Sequence, residues 1–440
     1  MGLFSFKGGV HPPHGKHLSK DSAIERLNPS KDLVFPMSQH IGAPCEPIVK
    51  KGDRVLVGQK IGQATGFVSA PIHCSVSGTV KNVAPMLHTN GKKVLSVIVE
   101  NDGLYEECEH SGVDYKSLSS EEIISIIKEC GIVGLGGACF PTHVKLSPGK
   151  DIDSIIINAA ECEPYLTCDY RLMVEHYKEI AEGLEILTYM FPKAKCYVGI
   201  EDNKPDAISI MTSAVEDLKN VEVAPLKTKY PQGAEKQLIY AITKREVPTG
   251  KLPADVGCIV QNVGTVQAIR NAILEGKPLT ERIVTVTGEA VKSPKNLLVK
   301  LGTQMTELVD ACGGFVKDPV KVISGGPMMG MTLSSLETPV IKGTSGILAL
   351  TSKQATLPEE TSCIRCGKCY EACPMFLAPS NLNSYVLRGD FEGFEAAHGL
   401  SCIECGACSY ICPAKRHLTQ SFREGKRVVM MNRKKNSEKK

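Results

Sequence analysis

The chain of 440 residues lacks several features that would assign it to a class at once. No apolar run approaches the roughly 18–20 residues that a helix needs to span a bilayer. Residues 1–20 contain no continuous apolar segment of the kind found in a secretory signal. The formal net charge is only +3, which gives no argument for nucleic-acid binding. We therefore expect a protein of the cytoplasm, at most peripheral to a membrane, with no nucleic-acid partner.

Cysteine, in contrast, is abundant. The chain has 18 cysteines, and without a signal peptide such a number suggests metal binding rather than disulfides. Ten of them are scattered between Cys45 and Cys312, and eight are crowded into residues 363–412. Apolar residues make up 42% of the chain and charged residues 22%, so packed cores in roughly three domains are expected.

The eight crowded cysteines form two runs of the same spacing. "CIRCGKCYEACP" covers residues 363–374 and "CIECGACSYICP" covers residues 402–413. Both read C-x2-C-x2-C-x3-C-P, which is typical of ferredoxins with two [4Fe–4S] clusters, where the fourth cysteine of each run binds the other cluster. We assign the first cluster to Cys363, Cys366, Cys369 and Cys412, and the second cluster to Cys402, Cys405, Cys408 and Cys373. A pair of zinc sites is the alternative, which two complete ferredoxin runs in tandem disfavour.

The remaining cysteines and the spacer between the runs have simpler interpretations. The spacer is long enough to hold short helices, so residues 356–422 are predicted to form an α-helical two-cluster ferredoxin domain. Three scattered cysteines lie inside motifs described below, namely Cys139, Cys162 and Cys168. The other seven are predicted to be small buried apolar side chains: Cys45, Cys74, Cys108, Cys130, Cys196, Cys258 and Cys312.

Residues 31–105 have the pattern of short strands and turns. The pattern resembles the barrel-sandwich hybrid domains of biotinyl and lipoyl carriers. A carrier needs a lysine in its exposed hairpin, and the hairpin "SAPIHCSVSG" at residues 69–78 has none. A structural or docking domain is therefore predicted here, preceded by an N-terminal segment over residues 1–30.

Residues 116–276 alternate between helical and strand patterns. The first helix begins with a capping box formed by Ser119 and Glu122, and it ends at Gly131. Alternating strands and helices predict a Rossmann-like α/β domain with a mainly parallel sheet, whose ligands bind beyond the carboxyl ends of the strands. The predicted strands are 154–158, 196–201, 222–227 and 258–263, and the predicted helices are 169–190, 205–218, 233–244 and 265–275.

The remaining third of the chain has two further parts besides the ferredoxin domain. Residues 280–350 read as a hairpin followed by a helix, which is typical of a β-grasp domain of the soluble-ligand-binding (SLBB) type. Residues 423–440 hold eight lysines and arginines against two glutamates. We expect this basic tail to be solvated and disordered; attraction to anionic lipid is the alternative.

The stretch "GLGGACFPTHVKL" at residues 134–146 is the first candidate site. It is no P-loop, because it lacks the Gly-Lys-Ser/Thr ending, and no dinucleotide fingerprint, because it follows a helix and has Cys139 in place of a third glycine. Gly134, Gly136 and Gly137 leave one face of the loop bare, so a flat ring or a phosphate can lie against backbone amides. Lys145 can supply a counter-charge.

Three further segments lie at the carboxyl ends of predicted strands. They are "NAAECEP" (158–164), "YPQGAEKQLI" (230–239) and "QNVGT" (261–265). Carboxylates in the first can accept hydrogen bonds from ribose or flavin hydroxyls, or can cap the next helix. The other two place polar groups at helix N-termini, where free N–H groups favour a phosphate. The candidate residues are Glu161, Glu163, Gly233, Glu235, Asn262 and Thr265.

Taken in order, these segments, together with Asp169 and Arg171, resemble the FMN- and NADH-binding subunit of respiratory complex I. The order of domains resembles more closely the RnfC family of the Rnf complexes, the ferredoxin:NAD oxidoreductases of bacterial membranes. "FKGGVHPPHGK" (6–16) and "SGGPMMG" (324–330) also look like that family. Four positions depart from the complex I pattern: Leu135 replaces an arginine, Cys139 a glycine, Ala160 an aspartate and Ala234 a glutamate.

The resemblance implies a set of cofactor contacts. FMN would pack against Gly134, Gly136, Gly137 and Lys145, with further contacts from Asn158, Glu161, Tyr230, Gly233, Glu235, Asn262 and Thr265. Phe140 and Glu163 match positions that face NADH. No catalytic acid or base is expected, because the flavin itself mediates hydride transfer.

The implied function is electron transfer at the cytoplasmic face of the cell membrane. NAD(H) and FMN would exchange a hydride, and single electrons would pass through the two clusters to or from the ferredoxin-like RnfB protein. Membrane subunits would couple this flow to Na⁺ or H⁺ movement, with ferredoxin as an indirect partner. The alternatives are a soluble flavin/iron–sulfur NADH reductase similar to cobalamin reductase, and a non-catalytic electron-wiring subunit, as Ala160 and Ala234 suggest.

Overall fold

A computed structural model of the chain describes residues 2–356 and 358–437. The first strand, β1, lies in the N-terminal segment, and the next seven strands form the barrel-sandwich domain. Their bounds are β1 Ile24–Leu27, β2 Leu33–Pro36, β3 Glu46–Pro47, β4 Arg54–Val55, β5 Lys60–Gln63, β6 Ile72–His73, β7 Gly78–Leu87 and β8 Lys93–Asn101. Two antiparallel sheets, ordered β2-β8-β7-β4 and β3-β5-β6, face each other across a core of Phe35, Ile61 and Val97.

The hairpin at residues 69–78 is buried along its whole length. Ser75 Oγ donates to Leu301 O, and Lys342 Nζ donates to Pro71 O at 2.6 Å, so the hairpin is held against the rest of the chain. A swinging carrier arm needs an exposed tip, whereas this hairpin is a docking surface for the neighbouring domains.

The α/β domain comprises four strands and seven helices. The strands are β9 Ser154–Asn158, β10 Lys195–Glu201, β11 Val221–Leu226 and β12 Cys258–Asn262. The helices are α1 Ser120–Glu129, α2 Thr142–Leu146, α3 Cys168–Glu175, α4 Tyr177–Met190, α5 Pro205–Ala214, α6 Glu235–Thr243 and α7 Val263–Leu274. The sheet is parallel with strand order β11-β10-β9-β12, so its topological switch point lies between β9 and β12.

The predicted capping box of α1 is present, and the helix buries Ile123 and Ile127. The single helix expected over residues 169–190 is instead two helices, α3 and α4. They are separated at His176, which has φ −122° and ψ 31°. Because its ring nitrogen Nδ1 bonds Glu179 at 3.0 Å at the start of α4, His176 stabilises the break.

The β-grasp domain supplies one helix and five strands of a six-stranded mixed sheet. Its elements are β13 Glu281–Thr287, β14 Lys295–Lys300, α8 Met305–Ala311, β15 Lys321–Ser324, β16 Met331–Thr332 and β17 Gly346–Leu350. The strand order is β1-β14-β13-β17-β15-β16, with β1 parallel to β14. The N-terminal segment also bridges to the α/β domain through Phe4 with Leu226 and Val10 with Tyr230. It therefore joins two domains.

The ferredoxin domain is helical, as the long spacer predicts. Its elements, with the short helix that precedes it, are α9 Ser352–Ala355, α10 Lys368–Ala372, α11 Pro379–Leu387, α12 Phe391–Ala396, α13 Ala407–Ile411 and α14 Leu418–Ser437. Its apolar core includes Leu382, Phe394 and Phe422.

The expectation of a disordered basic tail from residue 423 is wrong for the described residues. Residues 423–437 continue α14, because Phe422 and Val429 lie on one face of the helix and are buried in the domain core. Lys426 also pairs with Glu404, and Arg433 with Glu395. Residues 438–440 lie outside the described residues.

Candidate functional site

A cleft of about 630 Å³ opens at the carboxyl ends of β9 and β12, the switch point of the parallel sheet. Three domains line it: the α/β loops, the barrel-sandwich loops 38–41 and 88–90, and the β-grasp residues 324–326, 329–331 and 341 with 343–345. Eight sequence-predicted contacts line the cleft: Gly136, Gly137, Asn158, Glu161, Glu163, Tyr230, Gly233 and Asn262. The barrel-sandwich wall was not expected from the sequence.

The glycine loop presents a bare face to this cleft. Gly137 has φ +105°, and a Cβ atom there would meet nothing within 4 Å. A Cβ on Gly136 would approach only Asn262, at 3.5 Å. The flat, open surface fits the ring of a flavin, and it gives backbone amides access to a bound group.

Five predicted contacts lie outside the cleft lining. Gly134 and Phe140 close the glycine loop, with Gly134 N donating to Phe140 O at 2.9 Å. Thr265 is fully buried beneath the loop, and its hydroxyl accepts from Leu135 N at 2.9 Å. Lys145 and Glu235 form an ion pair at 2.7 Å. In this arrangement Thr265 supports the loop rather than facing the cleft.

Lys16 organises the loop that follows β9, and sequence reasoning missed it. Its Nζ donates to the backbone oxygens of Glu161 at 2.9 Å, Glu163 at 3.1 Å and Leu166 at 2.5 Å. The Glu161 carboxylate lies 3.5 Å away. Lys16 is 9% exposed, so these contacts replace its hydration. The partners lie about 150 residues away in the chain, and no local pattern marks such a contact.

Asn262 and Asp169 form a hydrogen-bonded pair where β12 meets α7. Asn262 caps α7, because its side-chain oxygen accepts from Gly264 N at 2.9 Å. Its Nδ2 donates to Asp169 Oδ2 at 2.7 Å, and Asp169 N donates to Glu161 Oε1 at 2.7 Å. Burial raises the pKa of Asp169 to about 6, and the nearby Glu161 carboxylate adds to the rise.

Glu163 links the α/β domain to the β-grasp loop. Its carboxylate accepts from Met328 N at 3.1 Å and from Met329 N at 2.8 Å. A Cβ on Gly326 would lie 2.2 Å from Glu163 Oε2, so only glycine fits there without a shift. Burial raises the pKa of Glu163 to about 7, although the two backbone amides oppose the rise.

Replacing Glu163 with glutamine should remove a pH dependence of stability. The folded pKa of about 7 exceeds the unfolded value of 4.5, so the folded chain binds more protons between these values and its stability falls as pH rises. At 1.36 kcal/mol per pKa unit, the fall is about 3 kcal/mol at most. Urea unfolding at pH 5, 6 and 7 should show a flatter profile for Glu163→Gln. The exposed-site control Glu216→Gln should keep the wild-type slope; an equal slope for Glu163→Gln would contradict the prediction.

Cys139 packs the glycine loop against the β-grasp domain. It has φ +50° and is 6% exposed. A Cβ on Gly343 would lie 2.5 Å from Cys139 Sγ, so the thiol lies against this glycine. Burial raises the pKa of the Cys139 thiol to about 11, which leaves it protonated and unreactive at neutral pH.

A pair of substitutions tests this packing role. Gly343→Ala should displace the glycine loop and lower the FMN content of the purified protein at least about twofold, because the new methyl collides with Cys139 Sγ. Cys139→Gly alone should keep the FMN content, and it should restore that of Gly343→Ala when the two are combined. The flavin-to-protein absorbance ratio measures all three. Failure of the double variant to recover would show that Gly343 acts without Cys139.

The eight clustered cysteines gather into the two predicted groups of four. One cavity is lined by Cys373, Cys402, Cys405 and Cys408, and another by Cys363, Cys366, Cys369 and Cys412. Across the described ranges, no three His, Cys, Asp or Glu side chains gather closely enough to hold a single metal ion. Four thiols around one cavity are the donor set that a [4Fe–4S] cluster requires, so the residues fit that group.

The two cysteine runs share one backbone conformation. In both runs, the second residue after the first cysteine has a left-handed backbone conformation. The φ angle is 55° at Arg365 and 58° at Glu404. The glycines Gly367 and Gly406 are left-handed as well. The second group also receives backbone N–H donors, including Glu404 N to Cys402 Sγ at 3.3 Å. Such donors to sulfur are one means by which a protein raises a cluster's reduction potential.

The second group of cysteines adjoins the cleft. Tyr230 lines the cleft, is 1% exposed, and donates its hydroxyl to Cys405 O at 2.8 Å. Gly406 lies close to the β-grasp loop, since a Cβ atom added to this glycine would lie 3.2 Å from Met328 O. The first group faces outward, because Cys363 and Cys366 are exposed.

Family models agree with this arrangement. They match an RnfC barrel-sandwich hybrid domain at residues 4–104, a Nuo51 FMN-binding domain at 127–271, an SLBB domain at 283–332 and a 4Fe–4S dicluster domain at 362–418. The fold and site define a flavin- and iron–sulfur-dependent electron-transfer protein, with FMN and [4Fe–4S] clusters as its cofactors. The predicted fold class and cofactors are confirmed.

Curated relatives narrow the class, and all three are the RnfC components of their complexes. The component of the Na⁺-translocating ferredoxin:NAD⁺ oxidoreductase complex of Acetobacterium woodii is 47% identical over 98% of each chain. That of the proton-translocating complex of Clostridium ljungdahlii is 50% identical over 87% of this chain and 84% of its own. That of the ion-translocating oxidoreductase complex of Rhodobacter capsulatus is 42% identical over 89% and 76%. The chain belongs to the RnfC family, as the motifs predicted.

A solved structure is also similar to part of this chain. An NAD⁺-reducing [NiFe]-hydrogenase in the air-oxidized state matches 64% of this chain and 55% of its own, at 17% identity and a TM-score of 0.49. In residues 2–356 and 358–437, no helix has the length and apolarity to cross a membrane.

Proposed function

We propose that this chain is the NADH-reacting subunit of an Rnf-type ferredoxin:NAD oxidoreductase. It would exchange electrons between NAD(H), FMN in the cleft and the two clusters. Membership of the RnfC family and the FMN-binding and dicluster matches support the proposal. The main structural support is the hydrogen bond between Tyr230 and Cys405, because this bond connects the cleft to one cluster site through a single side chain.

The chain's own residues would hold and orient the cofactor. Gly136 and Gly137 offer an open face for the flavin ring, while Asn158, Glu161 and Gly233 lie where ribityl or phosphate oxygens would be bound. FMN, when bound, supplies the conversion between two-electron hydride exchange and single-electron transfer. The chain itself would position both reactants in the cleft.

The three-domain enclosure would leave NADH a site beside the flavin. Glu163 is fixed by the β-grasp amides, and the barrel-sandwich loops 38–41 and 88–90 form the opposite wall. We assign Glu163 to the side that meets NADH. Thr265 and the Lys145–Glu235 pair act one layer behind, by holding the glycine loop and the start of α6.

The clusters would operate in a definite order. The group of Cys405 lies nearest the cleft, so it would exchange electrons with the flavin first. The group of Cys363 and Cys366 is open to solvent, so it would meet the partner. We propose the ferredoxin-like RnfB protein as that partner, with ferredoxin indirect, in a complex whose membrane subunits move Na⁺ or H⁺. The chain would lie peripherally on the cytoplasmic face of the cell membrane.

Anaerobic purification tests the proposal. The chain should contain about one FMN and eight iron atoms, from two four-iron clusters. Addition of NADH should bleach the flavin band and then the cluster band. Clusters without flavin, or flavin without a response to NADH, would instead favour the electron-wiring subunit.

A further inference from the structure

A second cavity, of about 290 Å³, lies behind the flavin cleft. It is lined by residues of α3, α4, α7 and the strands β1 and β13, and many of the lining side chains are polar. Among its lining residues are His176, Glu179, Gln267, Arg270 and Asn271. The cluster sites do not involve this cavity, and among the predicted cofactor contacts Asn262 alone lines it.

The two cavities share one thin wall. Four residues line both of them: Leu135, Cys168, Asp169 and Asn262. Leu135 is apolar, and the amide of Asn262 does not titrate. Burial holds the pKa of the Cys168 thiol well above its usual range, so it stays protonated. Among these four, Asp169 is the group that can exchange a proton near neutral pH.

NADH oxidation leaves a proton to dispose of. The hydride carries two electrons and one proton into the cleft, and NAD⁺ leaves. Two [4Fe–4S] clusters then take one electron each, and one proton per NADH remains. It must leave the cleft for bulk water, and reduction of NAD⁺ needs the reverse path.

We propose that Asp169 is the proton-transfer residue of the flavin site and that the second cavity is its route to solvent. The inference rests on the proposed function, because it needs hydride exchange in the cleft. Asp169 Oδ2 accepts from Asn262 Nδ2 at 2.7 Å, which holds the carboxyl in the wall between the two spaces. The cavity behind it offers polar side chains and room for several waters.

The charged groups around Asp169 set when it can accept the proton. Glu161, on the loop after β9, raises its pKa along with burial, while Arg282 on β13 and Lys16 of the N-terminal segment lower it. The balance leaves the pKa of Asp169 at about 6. Above this pH the carboxylate can accept a proton, and below it the acceptor is already occupied.

Stopped-flow spectroscopy of the anaerobic, cofactor-loaded chain tests the proposal. In Asp169→Asn, the flavin band should bleach with NADH at a rate within about twofold of wild type, because the hydride needs no acid or base. Electron arrival at the clusters should slow at least about tenfold, as expected for loss of a proton-transfer group. Asp169→Glu should recover most of that rate, and the exposed-site control Asp310→Asn should match wild type.

The pH profile gives a readout that a structural role would not change. In wild type the rate of cluster reduction should fall as pH drops through about 6, and in Asp169→Asn it should be flat. Unchanged cluster reduction in Asp169→Asn, or a rate for Asp169→Glu as slow as for Asp169→Asn, would overturn the proposal. Loss of FMN from Asp169→Asn would also overturn it in favour of a binding role. A wild-type chain that NADH does not bleach would contradict the proposed function instead.

Discussion

Replacing Lys16 with methionine is expected to empty the cleft of FMN and to lower the free energy of unfolding by about 3–5 kcal/mol, as for a broken buried ion pair. The Lys16 ammonium binds three backbone oxygens of the loop after β9 and faces the Glu161 carboxylate. Methionine has nearly the same length but no donor. Three carbonyls would lose their partner and Glu161 its counter-charge, so the loop that lines the cleft would move.

Two further variants separate charge from geometry at this position. Lys16→Arg should rescue little, because a planar guanidinium cannot direct its donors from one atom to three oxygens. Lys20→Met, at an exposed position of the same segment, should behave as wild type. FMN content by absorbance and urea unfolding measure both effects. Full FMN occupancy in Lys16→Met would show that the loop holds its shape without the N-terminal segment.

Cysteine substitutions in the two groups are expected to have different consequences. Cys405→Ser should lower the rate at which NADH reduces both clusters by about 100-fold or more. The flavin should still bleach. Cys366→Ser should leave the second cluster reducible by NADH but stop electron delivery to the partner. The reason is position: the Cys405 backbone is bonded to Tyr230 at the cleft, whereas Cys366 is exposed.

Electron paramagnetic resonance of the NADH-reduced variants measures this asymmetry. Cys366→Ser should keep the signal of the second cluster, whereas Cys405→Ser should show neither cluster signal with NADH. Cys108→Ser, a substitution outside both cysteine runs, should keep both signals and the full iron content. Equal reduction of the remaining cluster by NADH in Cys405→Ser and Cys366→Ser would contradict the proposed order.

The features that were predicted correctly from the sequence depend on residues that lie close together in the chain. The cysteines of each run are separated by two or three residues, so the cluster-binding motif can be recognised without knowledge of the fold. The strands β9 to β12 follow from apolar runs bounded by turns, and they lie within a residue or two of their predicted limits. The prediction of a disordered tail was wrong because Phe422 and Val429 pack in the core of the ferredoxin domain. The number of basic residues gives no information about such a contact.

Spacing and periodicity, which are local features, were enough to predict the two four-cysteine sets, the parallel sheet and the glycine loop at its edge. The tertiary structure was needed to show which cysteine group adjoins the cleft, that the barrel-sandwich loops line it, that Lys16 holds the loop after β9, and that Asp169 lies between the cleft and a second cavity. These contacts join residues far apart in the chain. Their energy comes from burial and hydrogen bonding between domains, and neither leaves a periodic pattern in the sequence.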